Sequence, residues 1–387
     1  MFRKIILLVY ALMFINIVGN PIAVEPTEIS PPEGRHVLIV YNSNATRDDN
    51  GNKIPDSLEI VHYYQIARRI PNKNLCAIRS STKEVVTKEE YLRDIKTVIE
   101  AYLERTALRN QIRYLVVTKG VPLKIIDQMP NSCKSTTRRR SVDGALCFLY
   151  QTDGNGVGRF PNPYFNVDPQ YTLKHRFQSF HYASKYPLSY LVTRLDGYTV
   201  DDVKSMIDRS LNAYQFRRQK VIPVWYILDD HPTSIADRMP ISHRVLTQRG
   251  ENVRYDGTAS YITTNDGLVM GYTSYGVHAK MPDGYITNTL KFQYANGALI
   301  MTYESFNAFG FQSPDQHRHG QVAEFIHAGG TGGIGNVAEP CLSGIAHEYI
   351  LYAAYAAGYP LADACYMSLP FSNWTSVVVG DPLCRIR

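Results

Sequence analysis

The feature that most constrains the fold is an alternation of short apolar runs with segments of helical periodicity. Three of the runs, at 36–42, 112–118 and 221–228, read HVLIVYN, IRYLVVT and VIPVWYIL. Continuous apolar runs of this length are typical of strands buried on both faces of a parallel sheet. The segments between strands carry apolar residues at helical spacing, so the chain predicts an α/β fold with a mostly parallel sheet flanked by helices.

The alternation lapses once, and the lapse divides the chain. We predict an N-terminal α/β half at 35–127 and a C-terminal α/β half at 188–387, which carries the candidate site. Between them, 128–187 is an irregular insertion dominated by Gly, Pro, Asn, Tyr and Arg. A stretch this long without regular structure is unusual in a compact domain. A short linker rich in Pro and Glu, 24–34, precedes the first strand.

The first 23 residues have the layout of a secretory signal peptide. Arg3 and Lys4 give a positive start, and the apolar run that follows ends at Val18. This run is shorter than the roughly 20 residues that a spanning helix needs. We therefore expect cleavage, a secreted or periplasmic protein, and no stable membrane span afterwards. The formal charge of +6 is mild, and it does not suggest nucleic-acid binding.

The chain has six cysteines, an even number that permits disulfides in an exported protein. Cys133 and Cys147 flank a basic stretch, and a disulfide between them could close that loop. No CxxC spacing occurs, so the usual zinc pattern is missing from the sequence. The connectivity stays open at this point.

Polar residues follow several of the predicted strands. Ligands of an open parallel sheet collect at the carboxyl ends of its strands. Tyr275 and His278 follow one strand, and Glu304 and Ser305 follow the next. We take these four as the candidate catalytic residues. Other polar residues at strand ends, each also explained by a helix cap or a loop hydrogen bond, are Asn42, Lys119, Asp229, Asp230, His231, Glu339 and Asp381.

The segment DDNGNKIPDSLE, at 48–59, has the oxygen spacing of a calcium loop. Such loops supply oxygens from positions 1, 3, 5, 9 and 12 and have Gly at position 6, where this chain has Lys53. The alternative is an Asn/Asp-rich loop that caps the next helix. The predicted calcium ligands are Asp48, Asn50, Asn52, Asp56 and Glu59.

A glycine-rich run contains Gly330, Gly332 and Gly335, which fit the dinucleotide spacing GxGxxG. That fingerprint follows a strand and opens a helix, whereas here a predicted helix precedes it. We therefore interpret the glycines as a tight turn into a buried strand, and rank a nucleotide-dependent enzyme last.

Four strings in combination resemble an uncharacterised family of exported bacterial proteins. They are YNSN…DSLEIVHYYQIARRIPNKNL, YLVVTKGVPLKI, GGTGGIGNVAEP and VVVGDPL, and together they cover nearly all of the chain after the signal peptide. The resemblance implies export and fold class more than chemistry.

Three further strings are distantly similar to gingipain-type cysteine peptidases, which have a caspase-like three-layer α/β fold. They are YLVTRLDGYTVDDVKSMIDRSLNAYQ, GYTSYGVHAK and GALIMTYES. The resemblance places Tyr275 at the position of the catalytic histidine and Ser305 at that of the cysteine. The usual His/Cys dyad is missing, and His278 is a possible substitute base.

Two functions therefore stay open. The first is a hydrolase with a remodelled caspase-like site, in which Ser305 or Glu304 acts with His278, Tyr275 or Asp230. The second is a non-catalytic, calcium-stabilised protein that binds an extracytoplasmic protein or polymer. The 28 tyrosines fit the second function, because Tyr-rich loops supply contact area with a polar tip.

Overall fold

The computed structural model describes residues 33–126, 140–150, 159–165, 188–220, 222–232, 237–278, 284–312 and 320–387. The predicted signal peptide and most of the predicted insertion lie outside these ranges. The strands are β1 (Val37–Asn42), β2 (Leu75–Ile78), β3 (Val85–Thr87), β4 (Tyr114–Thr118), β5 (Lys124–Ile126), β6 (Arg140–Ser141), β7 (Phe160–Pro161), β8 (Leu191–Leu195), β9 (Val224–Asp229), β10 (Asn252–Asp256), β11 (Leu268–Ser274), β12 (Gln293–Thr302), β13 (Gly332–Asn336), β14 (Phe371–Ser372) and β15 (Ser376–Val379).

The helices alternate with these strands along the chain. A π-helical segment, Tyr91–Lys96, joins the second helix to the third. None of the helices that the structure describes is long and apolar enough to cross a membrane. The α-helices are α1 (Asp56–Arg68), α2 (Lys88–Glu90), α3 (Thr97–Arg105), α4 (Val142–Leu146), α5 (Val200–Gln219), α6 (Met239–Gln248), α7 (Gln321–His327), α8 (Glu348–Ala356) and α9 (Leu361–Ser368).

Ten strands form one sheet in the order β10-β9-β11-β12-β13-β15-β8-β4-β1-β2. The antiparallel pair of β13 and β15 divides the sheet into two halves, β10 to β13 and β15 to β2, and the neighbouring strands within each half of the sheet are parallel. Two groups of helices cover the sheet, α1 with α5 and α7, and α6 with α8 and α9. The predicted α/β class with a mostly parallel sheet is confirmed.

The glycine-rich run is itself a strand, so the interpretation of all its glycines as a turn was wrong. Gly332, Gly333 and Gly335 lie in β13, and the turn comes earlier, at Gly329 with φ +104°. A Cβ on Gly333 would lie 2.2 Å from the carbonyl oxygen of Ile300 in β12. These positions need glycine because atoms of neighbouring segments of the same chain lie too close to leave room for a side chain.

After β13, Leu342–Gly344 forms a 3-10 turn whose glycine packs against Trp374, and α8 begins only at Glu348. One smaller expectation also needs correction. Cys147 is a free, buried thiol, so the suggested disulfide between Cys147 and Cys133 was wrong.

Candidate active site

The candidate site lies where β11 and β12 end side by side. Ser274 is paired with Thr302, and the Tyr303 N–H donates to the Ser274 carbonyl at 3.0 Å. The two following loops therefore leave the sheet at the same level. They enclose a cavity of about 190 Å³ whose lining includes Tyr275, His278 and Ser305. The structure brings three of the four predicted catalytic residues together.

Of two neighbouring loops, one lines this cavity and the other packs against a lining residue. The loop after β13 contributes Glu339, whose Oε1 accepts a hydrogen bond from the Cys341 N–H at 2.8 Å. His231, in the loop after β9, is not part of the lining, but its ring stacks on that of Tyr275 with centroids 5.1 Å apart. Sequence reasoning placed both residues at strand ends but left them out of the site, because nothing in the sequence shows which strand ends are neighbours.

The backbone is strained around the cavity. His278, Phe306 and Cys341 have φ values of +46°, +61° and +60°, although none of them is glycine. Non-glycine residues rarely adopt this region, and such strain clusters at active sites and ligand clamps. Phe306 directly follows Ser305, so the serine sits on a sharp, strained turn.

The hydrogen bond of His278 determines which of its ring nitrogens is a base. Its Nε2 lies 3.1 Å from the Tyr275 carbonyl oxygen. A carbonyl only accepts, so Nε2 carries the proton in the neutral ring and Nδ1 has the free lone pair. His278 is exposed and its ring lies 4.5 Å from that of Tyr275. It is therefore a base accessible from solvent at the rim of the cavity.

Glu304 has a different position from the other three predicted residues. Its side chain is buried, and its Oε2 accepts hydrogen bonds from the Val277 N–H, at 2.8 Å, and from the Gln321 side chain. Gly276, with φ +100°, lets the carboxylate approach, since a Cβ there would lie 2.9 Å from Oε2. Glu304 thus joins the two loops and α7, and we interpret it as a positioning residue.

This interpretation predicts different outcomes for two substitutions of Glu304. Glu304→Ala leaves the Val277 N–H without its acceptor, and we expect the free energy of unfolding to fall by about 1–3 kcal/mol. Glu304→Gln keeps an acceptor oxygen and should retain most of the stability and any activity. Urea unfolding of both variants measures this. A Glu304→Gln variant that is fully stable yet inactive would instead make the carboxylate catalytic.

The loop at 48–59 brings four of the five predicted calcium ligands together. The Asp48 carboxylate accepts hydrogen bonds from the Asn52 and Lys53 N–H groups at 3.1 and 2.8 Å. The Glu59 carboxylate accepts from the side-chain amides of Asn50 and Asn52 and also contacts Lys204. Lys53 has φ +68°, the left-handed conformation for which calcium loops use Gly.

Asp56, the fifth predicted ligand, belongs to different surroundings. Its Oδ1 accepts from the Asp49 N–H at 2.9 Å, and the residue lines a second cavity. Over the described ranges, no three His, Cys, Asp or Glu side chains are grouped so that they could hold a metal ion. Calcium binding at 48–59 stays a prediction, and Glu59 already has a cationic partner in Lys204.

Comparisons with known proteins add little to this geometry. No family model and no curated protein matches the chain. One similar solved structure is the complex of Porphyromonas gingivalis RgpB pro- and mature domains, at 13% identity and TM-score 0.46, covering 91% of this chain and 80% of that one. Another, entitled "Structure of Protease", is 10% identical with TM-score 0.44 and covers 91% and 78%. Similarity at this level is distant and carries no inference about chemistry.

Proposed function

We propose that the protein is a hydrolase in which Ser305 is the nucleophile and His278 is the general base. The observation that carries the proposal is the cavity beyond β11 and β12, which both residues line. Strained, non-glycine backbone at His278 and directly after Ser305 supports it further.

The chemistry follows from the two side chains. Nδ1 of His278 takes the hydroxyl proton as Oγ of Ser305 attacks the carbonyl carbon of an ester or amide. The bond to the leaving group breaks, and the imidazolium returns the proton to that group. Water, deprotonated by the same histidine, then attacks the acyl carbonyl carbon; the bond to Oγ of Ser305 breaks, the acid is released, and the imidazolium returns the proton to Oγ.

Hydrolysis of p-nitrophenyl acetate tests the proposal, since this small activated ester needs no specific binding pocket. We expect kcat/KM to fall at least ~10²-fold in Ser305→Ala and in His278→Ala, as for loss of a nucleophile or a general base. Ser260→Ala removes an exposed hydroxyl outside the cavity and should change nothing. Wild-type rates in Ser305→Ala would overturn the proposal and leave a binding function for the cavity.

The place of action is part of the same proposal. The features of residues 1–23 support export, so we propose that the substrate is an extracytoplasmic protein or polymer.

A further inference from the structure

A second cavity, of about 360 Å³, lies at the carboxyl ends of strands in the other half of the sheet. The chain runs from β1 to β2 on one side and then returns to β4 on the other side of β1. The loops that leave β1 and β4 therefore diverge, and such a switch point is where open α/β sheets bind ligands. Residues 44–47, after β1, and 119–121, after β4, line the cavity.

The two buried cations near this cavity, Lys119 and Arg194, already have hydrogen-bond or ion-pair partners within the protein. Nζ of Lys119 donates to the carbonyl oxygens of Gly197, Tyr198 and Phe311, at 2.7, 3.1 and 3.1 Å. Arg194, beneath the cavity, forms ion pairs with Asp143 and Asp196. These contacts hold the loops in place and leave neither cation for the other carboxyl groups of the lining.

Asp56 is a lining carboxyl group whose charge is poorly compensated. It is 2% exposed, and its Oδ2 has no hydrogen-bond partner among the described residues. Its ion pair with Nε of Arg47 spans 3.8 Å, and Arg47 lies closer to Asp49.

Glu84 is the second carboxyl group of the cavity lining whose charge is poorly compensated. Its Oε1 accepts from the Phe311 N–H at 3.1 Å, and in the described part of the chain it has no ion pair. Burial raises the pKa of Glu84, as does the nearby Asp196, while Arg194 opposes the rise. Lys83 lies at the exposed rim, where water screens its charge.

We propose that this cavity binds a small organic cation through a primary ammonium group held by Asp56 and Glu84. An ammonium group offers three hydrogen-bond donors, one of which would satisfy Oδ2 of Asp56, and a full positive charge at closer range than the 3.8 Å of Arg47. A neutral polyol would satisfy the hydrogen bonds but leave the buried charge uncompensated. The cavity volume is near the lower end for ligand sites and suits a small molecule. The site is separate from the proposed hydrolase site.

Calorimetric titration of the full chain with 1,5-diaminopentane, in EDTA, tests the proposal against the uncharged match 1,5-pentanediol. We expect the diamine to bind at pH 7.5 and the diol not to bind.

Variants decide which residues are responsible. Asp56→Asn and Glu84→Gln keep side-chain size and should each weaken diamine binding at least tenfold, whereas Glu89→Gln, an exposed carboxyl outside the lining, should not. If Asp56→Asn fails to fold, Glu84→Gln carries the test alone. Ser305→Ala should bind the diamine normally, so this result is independent of the hydrolase proposal. Equal binding of diol and diamine, no binding of the diamine, or wild-type affinity in the folded variants would overturn the proposal.

Discussion

Replacement of Arg194 by methionine is expected to lower the free energy of unfolding by about 3–5 kcal/mol, the usual cost of removing one partner from a buried ion pair. Arg194 is 0% exposed. Its guanidinium donates to both oxygens of Asp143, at 2.6 and 3.2 Å, and to the Val121 and Pro122 carbonyls. Methionine fills similar space but leaves Asp143 buried without its cation and leaves Asp196 with only the ion pair to Lys119, at 3.7 Å.

Two further variants sharpen this measurement, which is urea unfolding monitored by circular dichroism. Arg93→Met removes an exposed cation paired with Asp94, whose attraction water screens, and should leave the free energy of unfolding close to that of the wild type. Arg194→Lys keeps the charge but loses the forked geometry, so an intermediate loss is expected. If the free energy of unfolding of Arg194→Met were within about 1 kcal/mol of the wild-type value, the buried ion-pair network would not be a main source of stability for this half of the sheet.

The second large effect concerns pH and Asp229, at the end of β9. Burial raises the pKa of this carboxyl from 3.8 to about 7, and the neighbouring Asp256 contributes to the rise. Its Oδ2 accepts from the Ile262 N–H at 2.9 Å. The folded state thus binds the proton more tightly than the unfolded state. Protonated Asp229 therefore stabilises the folded state. This stabilisation is fully present below about pH 4 and is lost as the pH rises through about 7.

Asp229→Asn should remove that pH dependence. Between pH 5 and pH 8, the wild type should lose roughly 2–3 kcal/mol of unfolding free energy more than Asp229→Asn does. Asp201→Asn, which removes a carboxylate with 75% side-chain exposure, is the matched control and should follow the wild type. Denaturant unfolding of the three proteins at both pH values measures this. Parallel pH profiles for wild type and Asp229→Asn would show that Asp229 is ionised in the folded state.

The strands that sequence reasoning predicted best are those with the clearest physical signal. β1, β4 and β9 are continuous apolar runs, and a buried parallel strand is the main structure that such runs form. The edge strand β10 was missed because its residues, Asn252–Asp256, are mostly polar and its side chains are largely exposed. β13 was misread because glycine has low β-propensity, and only the crowding of neighbouring strands explains its presence there.

The site was partly predictable for a similar reason. Tyr275, His278 and Ser305 each follow an apolar run, so the rule for strand ends found them. Glu304 satisfied the same rule, but side-chain direction alternates along an extended chain, and its carboxylate points into the packing between loops.

The second cavity could not be predicted from the sequence. Asp56, Glu84, Lys119 and Asp196 are far apart in the chain and come together only through the strand order β8-β4-β1-β2. Of these residues, Asp56 had been assigned to the calcium loop, since its spacing from Asp48 fits a loop ligand. Strand order depends on crossover connections, which composition and periodicity do not reveal.

The hydrolase proposal is best tested by reaction of the full chain with a fluorophosphonate, followed by peptide mapping of the adduct by mass spectrometry. We predict one phosphonylated residue, Ser305, with no adduct in Ser305→Ala and much slower labelling in His278→Ala. An adduct on another serine, or no adduct in folded wild-type protein, would contradict the assignment of Ser305 as an activated nucleophile.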